Sequence, residues 1–272
     1  MQISIESTVE LNNGVRIYRL GFGTWALRGK TAINAVSWAI ETGYRLIDTA
    51  SFYGNENEVG KAIKESKVDR DDLFITTKVW DSEQGYDKAL EAFDRSKSKL
   101  GIDVLDLYLI HWPRDKRLET WKALEKLYKE EKVSAIGVSN FTIEQLKELF
   151  QNSTIKPVVN QIEFHPFLYQ KNLLNFCEDN EIRVEAYAPL TRAEKFNNPI
   201  IQEISSKYNK TPAQILIRWG LQQGVIEIPK SSSKQHIIEN AQVFDFDISD
   251  KDFEKLNNLN ENYRLVEDMV FN

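Results

Sequence analysis

One cysteine in 272 residues, Cys177, excludes an intrachain disulfide. Its neighbours Leu173, Leu174 and Phe176 make it read as a small buried hydrophobe. Histidine is nearly as scarce: there are three, without paired ligand spacing, so metal hydrolysis finds little support and no metal site is expected. No apolar run approaches the roughly 18 residues that a membrane-spanning helix needs. Nor does the N-terminus show the basic head and apolar stretch of a signal peptide. Positive charge is in deficit too, with 35 Lys and Arg against 41 Asp and Glu and a net charge of -6, a balance that argues against a nucleic-acid partner. The expectation is a cytoplasmic protein that binds neither nucleic acid nor membrane, monomeric by default.

What is present is regular. Hydrophobic residues make up 42% of the chain, enough for a large core. Short apolar runs alternate with segments of helical spacing from end to end. The runs are Arg19–Gly23, Arg45–Asp48, Leu73–Lys78, Val104–His111, Val133–Val138, Val158–Ile162, Arg183–Tyr187 and Gly224–Ile228. All have the length and β-branched content of strands buried on both faces. Between them, Ala32, Ala35, Val36, Ala39 and Ile40 fall on one helical stripe, as do Ala89, Leu90, Phe93 and Leu100, the latter stopped by Gly101. Thr142–Phe150 and Leu173–Cys177 continue the alternation, and Thr211-Pro212 caps a helix over Pro212–Gln222.

Eight strands and intervening helices in this length predict an α/β fold, a (β/α)8 TIM barrel, as one domain over residues 1–272. An open, doubly wound sheet is the competitor. No Pro/Gly/Ser-rich linker divides the chain. Ser4 to Tyr18, with Asn12-Asn13-Gly14 at its centre, predicts an N-terminal β-hairpin closing the bottom of the barrel. Gly21-x-Gly23-x-x-Ala26 imitates a dinucleotide fingerprint, but Arg28-Gly29-Lys30-Thr31 intervenes before any helix opens.

Chemistry in such a barrel belongs at the C-terminal ends of the strands. Asp48 ends the second candidate strand, with Tyr53 in the following loop; Lys78 ends the third and His111 the fourth. Taken singly, each reads as a cap, a solvated charge or a satisfied structural group. Together at one rim they suit proton delivery to an oxygen that gains charge. A phenol with a pKa of about 10 is a poor acid near neutrality, and a nearby ammonium is expected to lower it. Asp48 would orient Lys78, and His111 would bond the phenol or a carbonyl oxygen. Trp25, Phe52, Trp80 and Trp112 also follow strand ends and suggest an apolar substrate pocket.

Several segments resemble one family. Leu20-Gly21-Phe22-Gly23-Thr24-Trp25, Ile47-Asp48-Thr49-Ala50, Tyr53-Gly54-Asn55-Glu56 and Lys78-Val79-Trp80 look like the aldo-keto reductases. So do the run from Asp106 to Pro113, Gly137-Val138-Ser139-Asn140-Phe141, Asn160-Gln161-Ile162-Glu163 and Ile228-Pro229-Lys230-Ser231. The likeness runs from about Val9 to about Phe246. A short tail after Asp247 and short loops resemble the compact prokaryotic members.

The resemblance implies a (β/α)8 barrel that binds NADPH and reduces aldehydes, ketones or keto-sugars. It implies a tetrad of Asp48, Tyr53, Lys78 and His111 with Tyr53 as general acid. Ser139, Asn140 and Gln161 would meet the nicotinamide carboxamide, and Tyr187 would stack on its ring. Thr24 and Leu190 would also contact the cofactor. Lys230 and Ser231 would meet the adenosine phosphate, and Glu239 and Asn240 the adenine. Two positions depart from the family pattern. His236 replaces a permanently charged arginine with an imidazole, which leaves NADH possible as an alternative cofactor. Ala188 stands where a serine is commoner. His165, in Phe164-His165-Pro166, matches a family pattern but reads as structural. A non-catalytic nucleotide-binding sensor or regulatory barrel is the rival reading.

Overall fold

The structure, a computed structural model, describes residues 3–266. An antiparallel pair, β1 (Thr8–Glu10) and β2 (Arg16–Tyr18), comes first, turning through Gly14 in the left-handed region at φ 84°. Eight parallel strands follow: β3 (Gly21–Gly23), β4 (Leu46–Asp48), β5 (Phe74–Val79), β6 (Leu107–Ile110), β7 (Ile136–Ser139), β8 (Val159–Glu163), β9 (Arg183–Tyr187) and β10 (Ile226–Glu227). Each pairs with its sequence neighbour, and a parallel bridge from Leu20 to Glu227 joins the last strand to the first. The sheet is a barrel, and the open-sheet alternative falls.

Ten helices ring it among the described residues: α1 (Gly29–Thr42), α2 (Glu56–Glu65), α3 (Tyr86–Leu100), α4 (Arg117–Lys129), α5 (Ile143–Asn152), α6 (Lys171–Asp179), α7 (Pro199–Tyr208), α8 (Pro212–Gln222), α9 (Lys234–Ala241) and α10 (Asp250–Asn257). Their boundaries follow local chemistry. Thr211 caps α8 through a reciprocal box with Gln214, and Pro212 supplies a φ already suited to the first turn. Helix α1 buries Ala32, Ala35, Val36, Ala39 and Ile40, the predicted stripe, and ends at Gly43 with φ 111°.

The core has two layers. The larger lies between strands and helices. The smaller fills the N-terminal end of the barrel, where Val9, Leu11 and Ile17 of the hairpin pack on Leu46, Phe74, Leu107 and Ile226 from strand starts. The hairpin is therefore the bottom plug, and it leaves the opposite mouth open.

Helices α2 and α3 touch through Gly60: a Cβ built there would lie 2.4 Å from the Leu100 carbonyl oxygen, a backbone atom that cannot swing aside. Gly60→Ala is expected to lower stability by about 1–3 kcal/mol, the usual cost of overpacking. A thermal melt of the variant measures it, and an unchanged midpoint would mean that the helices separate freely.

Candidate active site

Three side chains predicted from strand ends, Asp48, Lys78 and His111, meet at the mouth with Tyr53 from the loop after the first of them. Lys78, fully buried on β5, donates to both carboxylate oxygens of Asp48 at 2.7 and 2.8 Å and to the Thr49 carbonyl at 2.9 Å. Its Nζ lies 3.4 Å from the Tyr53 hydroxyl. The Tyr53 ring stands edge-on to His111, with centroids 5.6 Å apart. Tyr53 is carried by a single 3-10 turn, Ser51–Tyr53, closed by Gly54 in the left-handed region.

Burial governs the protonation of this group. It pushes the Asp48 carboxyl up and works against charge on Lys78, yet the two-pronged contact with Asp48 holds the ammonium above the ordinary lysine range. For Tyr53, loss of solvent outweighs the attraction of Lys78, so its phenol is raised. This corrects the expectation that the ammonium sets the direction: Lys78 only limits the rise. Burial, reinforced by the Lys78 charge, carries His111 well below the usual histidine range and keeps it a neutral imidazole near pH ~7. Its Nδ1 is buried without a hydrogen-bond partner among the described residues.

The mouth opens into a cavity of about 710 Å³. Of the predicted site residues it is lined by Trp25, Asp48, Phe52, Tyr53, Trp80, His111, Trp112, Asn140, Tyr187, Leu190 and Lys230. Phe52 stacks on Trp80 at 3.7 Å and lies parallel to Trp25 at 5.7 Å, so the rings form one apolar wall. Asn140, at φ 64°, accepts from the Tyr187 hydroxyl at 2.8 Å and donates to the His111 carbonyl at 3.0 Å. That bond fixes Tyr187 over the rim.

Other predicted residues lie behind this wall or off it. Thr24 is buried, its hydroxyl donating to the Asp48 carbonyl at 2.9 Å. Ser139 donates to the Gln161 carbonyl, and the Gln161 amide donates to Asp48 at 2.9 Å and to Glu185 at 2.6 Å. Ser231, His236, Glu239 and Asn240 lie outside the cavity lining, around and within α9. Lys230 is exposed just ahead of that helix, whose cap is Ser233.

These features coincide with a known family. A model of the aldo/keto reductase family matches residues 19–261. The chain belongs to the aldo-keto reductase family. Glyoxal reductase of Bacillus subtilis (strain 168) is 49% identical over 267 residues, covering 97% of each chain. A crystal structure of an aldo-keto reductase from a Medee basin deep-sea metagenome library superposes with a TM-score of 0.94 at 44% identity, over 95% of this chain and 97% of that one. A Bombyx mori aldo-keto reductase crystallised with NADP has a TM-score of 0.91 at 35% identity, over 97% of this chain and 96% of that one. The reductase is thus an NAD(P)H-dependent oxidoreductase that binds a nicotinamide cofactor.

The donor set fits such a cofactor. Tyr187 presents a fixed ring at the rim. Lys230 has no ion pair among the described residues, lines the cavity and comes just before Ser233, the cap of α9, an arrangement suited to a phosphate. No helix is long and apolar enough to cross a membrane among the described residues. Those residues also hold no cluster of His, Cys, Asp and Glu able to bind a metal. Cys177 is buried, with its thiol raised by burial to about 11.

Sequence reasoning missed three contributors. Arg192 lines the cavity from a loop in which Thr191, Arg192 and Ala193 all have positive φ. Glu163, fully buried at the end of β8, accepts from His165 at 3.0 Å and from the backbone N–H groups of Leu265 and Val266 at 2.7 and 2.9 Å. It pins the tail so that Val266 becomes part of the cavity wall. Glu185 is fully buried beneath the ion pair, its carboxyl pushed up to about 8 by burial and then by the charge of Asp48. The available signal for Glu185 was an acid between the apolar residues Val184 and Ala186 of a short strand, and for Glu163 an acid two residues after Gln161 on β8.

Glu185 carries a stability consequence. An acid whose folded pKa is raised keeps its proton in the native state while the unfolded chain releases it, so stability falls as pH climbs from the unfolded value toward about 8. Glu185→Gln retains an oxygen for Gln161 and removes this loss. Relative to the natural protein it is expected to be stabilised more at about pH 8 than at about pH 5, as measured by paired thermal melts. Equal gains at both would show that Glu185 does not titrate in that window.

Proposed function

We propose that this reductase converts aldehydes and ketones, keto-sugars among them, to alcohols with NADPH, and that Asp48, Tyr53, Lys78 and His111 form its catalytic tetrad. The observation that carries the reading is Lys78 Nζ within reach of both Asp48 and Tyr53 Oη, with Asp48, Tyr53 and His111 lining an apolar cavity. When bound, the cofactor supplies the hydride that adds to the carbonyl carbon. Every other requirement falls to the protein. Trp25, Phe52, Trp80 and Trp112 hold the apolar part of the substrate and exclude water. Tyr53 Oη donates its proton to the carbonyl oxygen as that oxygen gains charge, completing the hydroxyl. The phenolate left behind is stabilised by Lys78, whose charge is in turn held by Asp48. A raised phenol keeps its proton well above neutrality, so the donor is loaded throughout the physiological range. Neutral His111 positions the carbonyl oxygen without competing for the proton.

For the cofactor, Ser139, Asn140 and Gln161 would address the carboxamide and Tyr187 the ring, with Thr24 and Leu190 nearby. Lys230, Ser231 and His236 would meet the 2′-phosphate, and Glu239 and Asn240 the adenine. Gln161 has both amide hydrogens committed to Asp48 and Glu185, so its oxygen is the group available to a carboxamide N–H.

Tyr53→Phe keeps the ring and removes the proton. Turnover of 4-nitrobenzaldehyde, followed by NADPH absorbance, is expected to fall by roughly 10²–10⁴ while NADPH binding persists. Binding without turnover in the natural protein across a panel of carbonyl compounds would favour the sensor reading instead. His236→Arg restores a permanent charge near the phosphate site and is expected to tighten NADPH roughly tenfold, with little effect on NADH. Fluorescence titration of both cofactors measures this, and parallel changes would remove position 236 from phosphate recognition.

A further inference from the structure

The aromatic wall of the cavity is held from outside it. Trp25 and Phe52 lie parallel within 13°, as do Phe52 and Trp80, and the second pair is in direct contact. Phe52 belongs to the 3-10 turn that follows β4, whereas Trp80 follows β5. Two separate loops must therefore keep register for the rings to stack. Stacking itself contributes only about 0.5–1.5 kcal/mol per pair beyond burial, a modest hold on two loops. Phe52 is also 38% exposed, so packing does little to fix it.

The register comes from one carboxylate. Asp81–Glu83 form a second 3-10 turn directly after Trp80. Glu83 Oε2 accepts from the Ser51 hydroxyl at 2.7 Å and from the Trp80 backbone N–H at 3.2 Å. Its other oxygen accepts from Arg95 of α3 at 2.9 Å. A single oxygen thus fixes the residue before Phe52 and the residue that carries the neighbouring ring. Burial works to raise this carboxyl, yet the hydrogen bonds from Ser51, Arg95 and the Trp80 N–H hold it below the usual carboxylate range. It is ionised, and an acceptor, at neutral pH. The next residue extends the frame, since buried Gln84 donates to the Trp112 carbonyl at 2.7 Å. Neither Ser51 nor Glu83 lines the cavity.

We infer that Glu83 is a specificity-determining positioning residue: by tying Ser51 to Trp80 it presets the Phe52–Trp80 stack, and so favours flat aromatic carbonyl compounds over small aliphatic ones. The inference rests on the carbonyl-reductase reading and adds to it a residue outside the cavity that chooses among substrates. A wall already assembled loses little side-chain freedom when a flat substrate lies on it, whereas a loose wall must first be ordered, which weakens binding. A small aliphatic aldehyde covers little of the rings and does not sense the difference. Tyr53 has anchors of its own, a bond from its backbone N–H to the Ala50 carbonyl at 3.0 Å and the contact with Lys78. The binding that Glu83 protects is therefore equal in ground and transition states, and its effect falls on KM and leaves kcat in place.

The test measures kcat and KM for 4-nitrobenzaldehyde and for propanal, with NADPH and the full chain. Glu83→Ala should raise KM for the aromatic aldehyde about fivefold, the scale of one ordinary hydrogen bond, with kcat unchanged. Its kcat/KM for propanal should match that of the natural protein, which also reports that the variant is folded. Glu83→Gln keeps an oxygen for Ser51 and Trp80 and should restore most of the aromatic preference. Ser51→Ala should shift the preference in the same direction as Glu83→Ala. Combining the two should change nothing further, because both remove one link. An aromatic-to-propanal ratio that Glu83→Ala leaves unmoved, or an equal loss on both aldehydes, overturns the positioning role while the reductase reading stands. Absence of turnover with both aldehydes in the natural protein overturns that reading and the inference with it.

Discussion

A lysine ammonium sealed inside a barrel is stable only if something else carries the opposite charge at contact distance, and Asp48 does so for Lys78. The pair neutralises itself, so the barrel interior bears little net charge despite holding Asp48, Lys78 and Glu185 together. The raised pKa of Glu185 follows from the same constraint. A second buried carboxylate beside Asp48 would be uncompensated, and it keeps its proton instead. Gln161 then bridges the ionised acid and the neutral one with its two amide hydrogens.

That buried charge in turn defines the mouth. Lys78 reaches the Tyr53 hydroxyl from below, and the rings of Phe52, Trp80 and Trp25 shield it from the side. Apolar shielding has opposing effects on the phenol. It raises the energy of a phenolate, yet it also strengthens the attraction of Lys78 by excluding water. A proton donor built this way stays protonated at rest, and Lys78 offsets part of the cost when the proton leaves, as the proposed reduction requires. The strained backbone clusters here too: Ala26, Asn140, Ala188 and Thr191–Ala193 all adopt positive φ in loops at the C-terminal ends of strands. Strands carry Asp48 and Lys78, a 3-10 turn carries Tyr53, and the loops bend sharply around them.

Much of this was legible in one dimension. Strands buried on both faces are dense in apolar and β-branched residues, so all eight stood out, and α8 was bounded correctly because Thr211, Pro212 and Gln214 encode its start locally. Boundaries were less certain where pairing gives out. The run from Val104 yields a ladder only from Leu107, since Leu105 makes no more than an isolated bridge to Val133. The stretch after Asp247, read as a short tail, contains α10 and then brings Val266 to the cavity wall.

What the sequence determined by itself was the alternation, the hairpin signal at Asn13-Gly14, and the placing of Asp48, Lys78 and His111 at strand ends, because each depends on residues within a few positions of one another. Tertiary structure alone decided the burial of Glu163 and Glu185 and the balance between desolvation and Lys78 at Tyr53. These are properties of distances between chain segments up to about a hundred residues apart. A carboxylate in a sequence reads as solvated; only closure of the barrel removes the water and supplies the partners that make it a buried, hydrogen-bonded group.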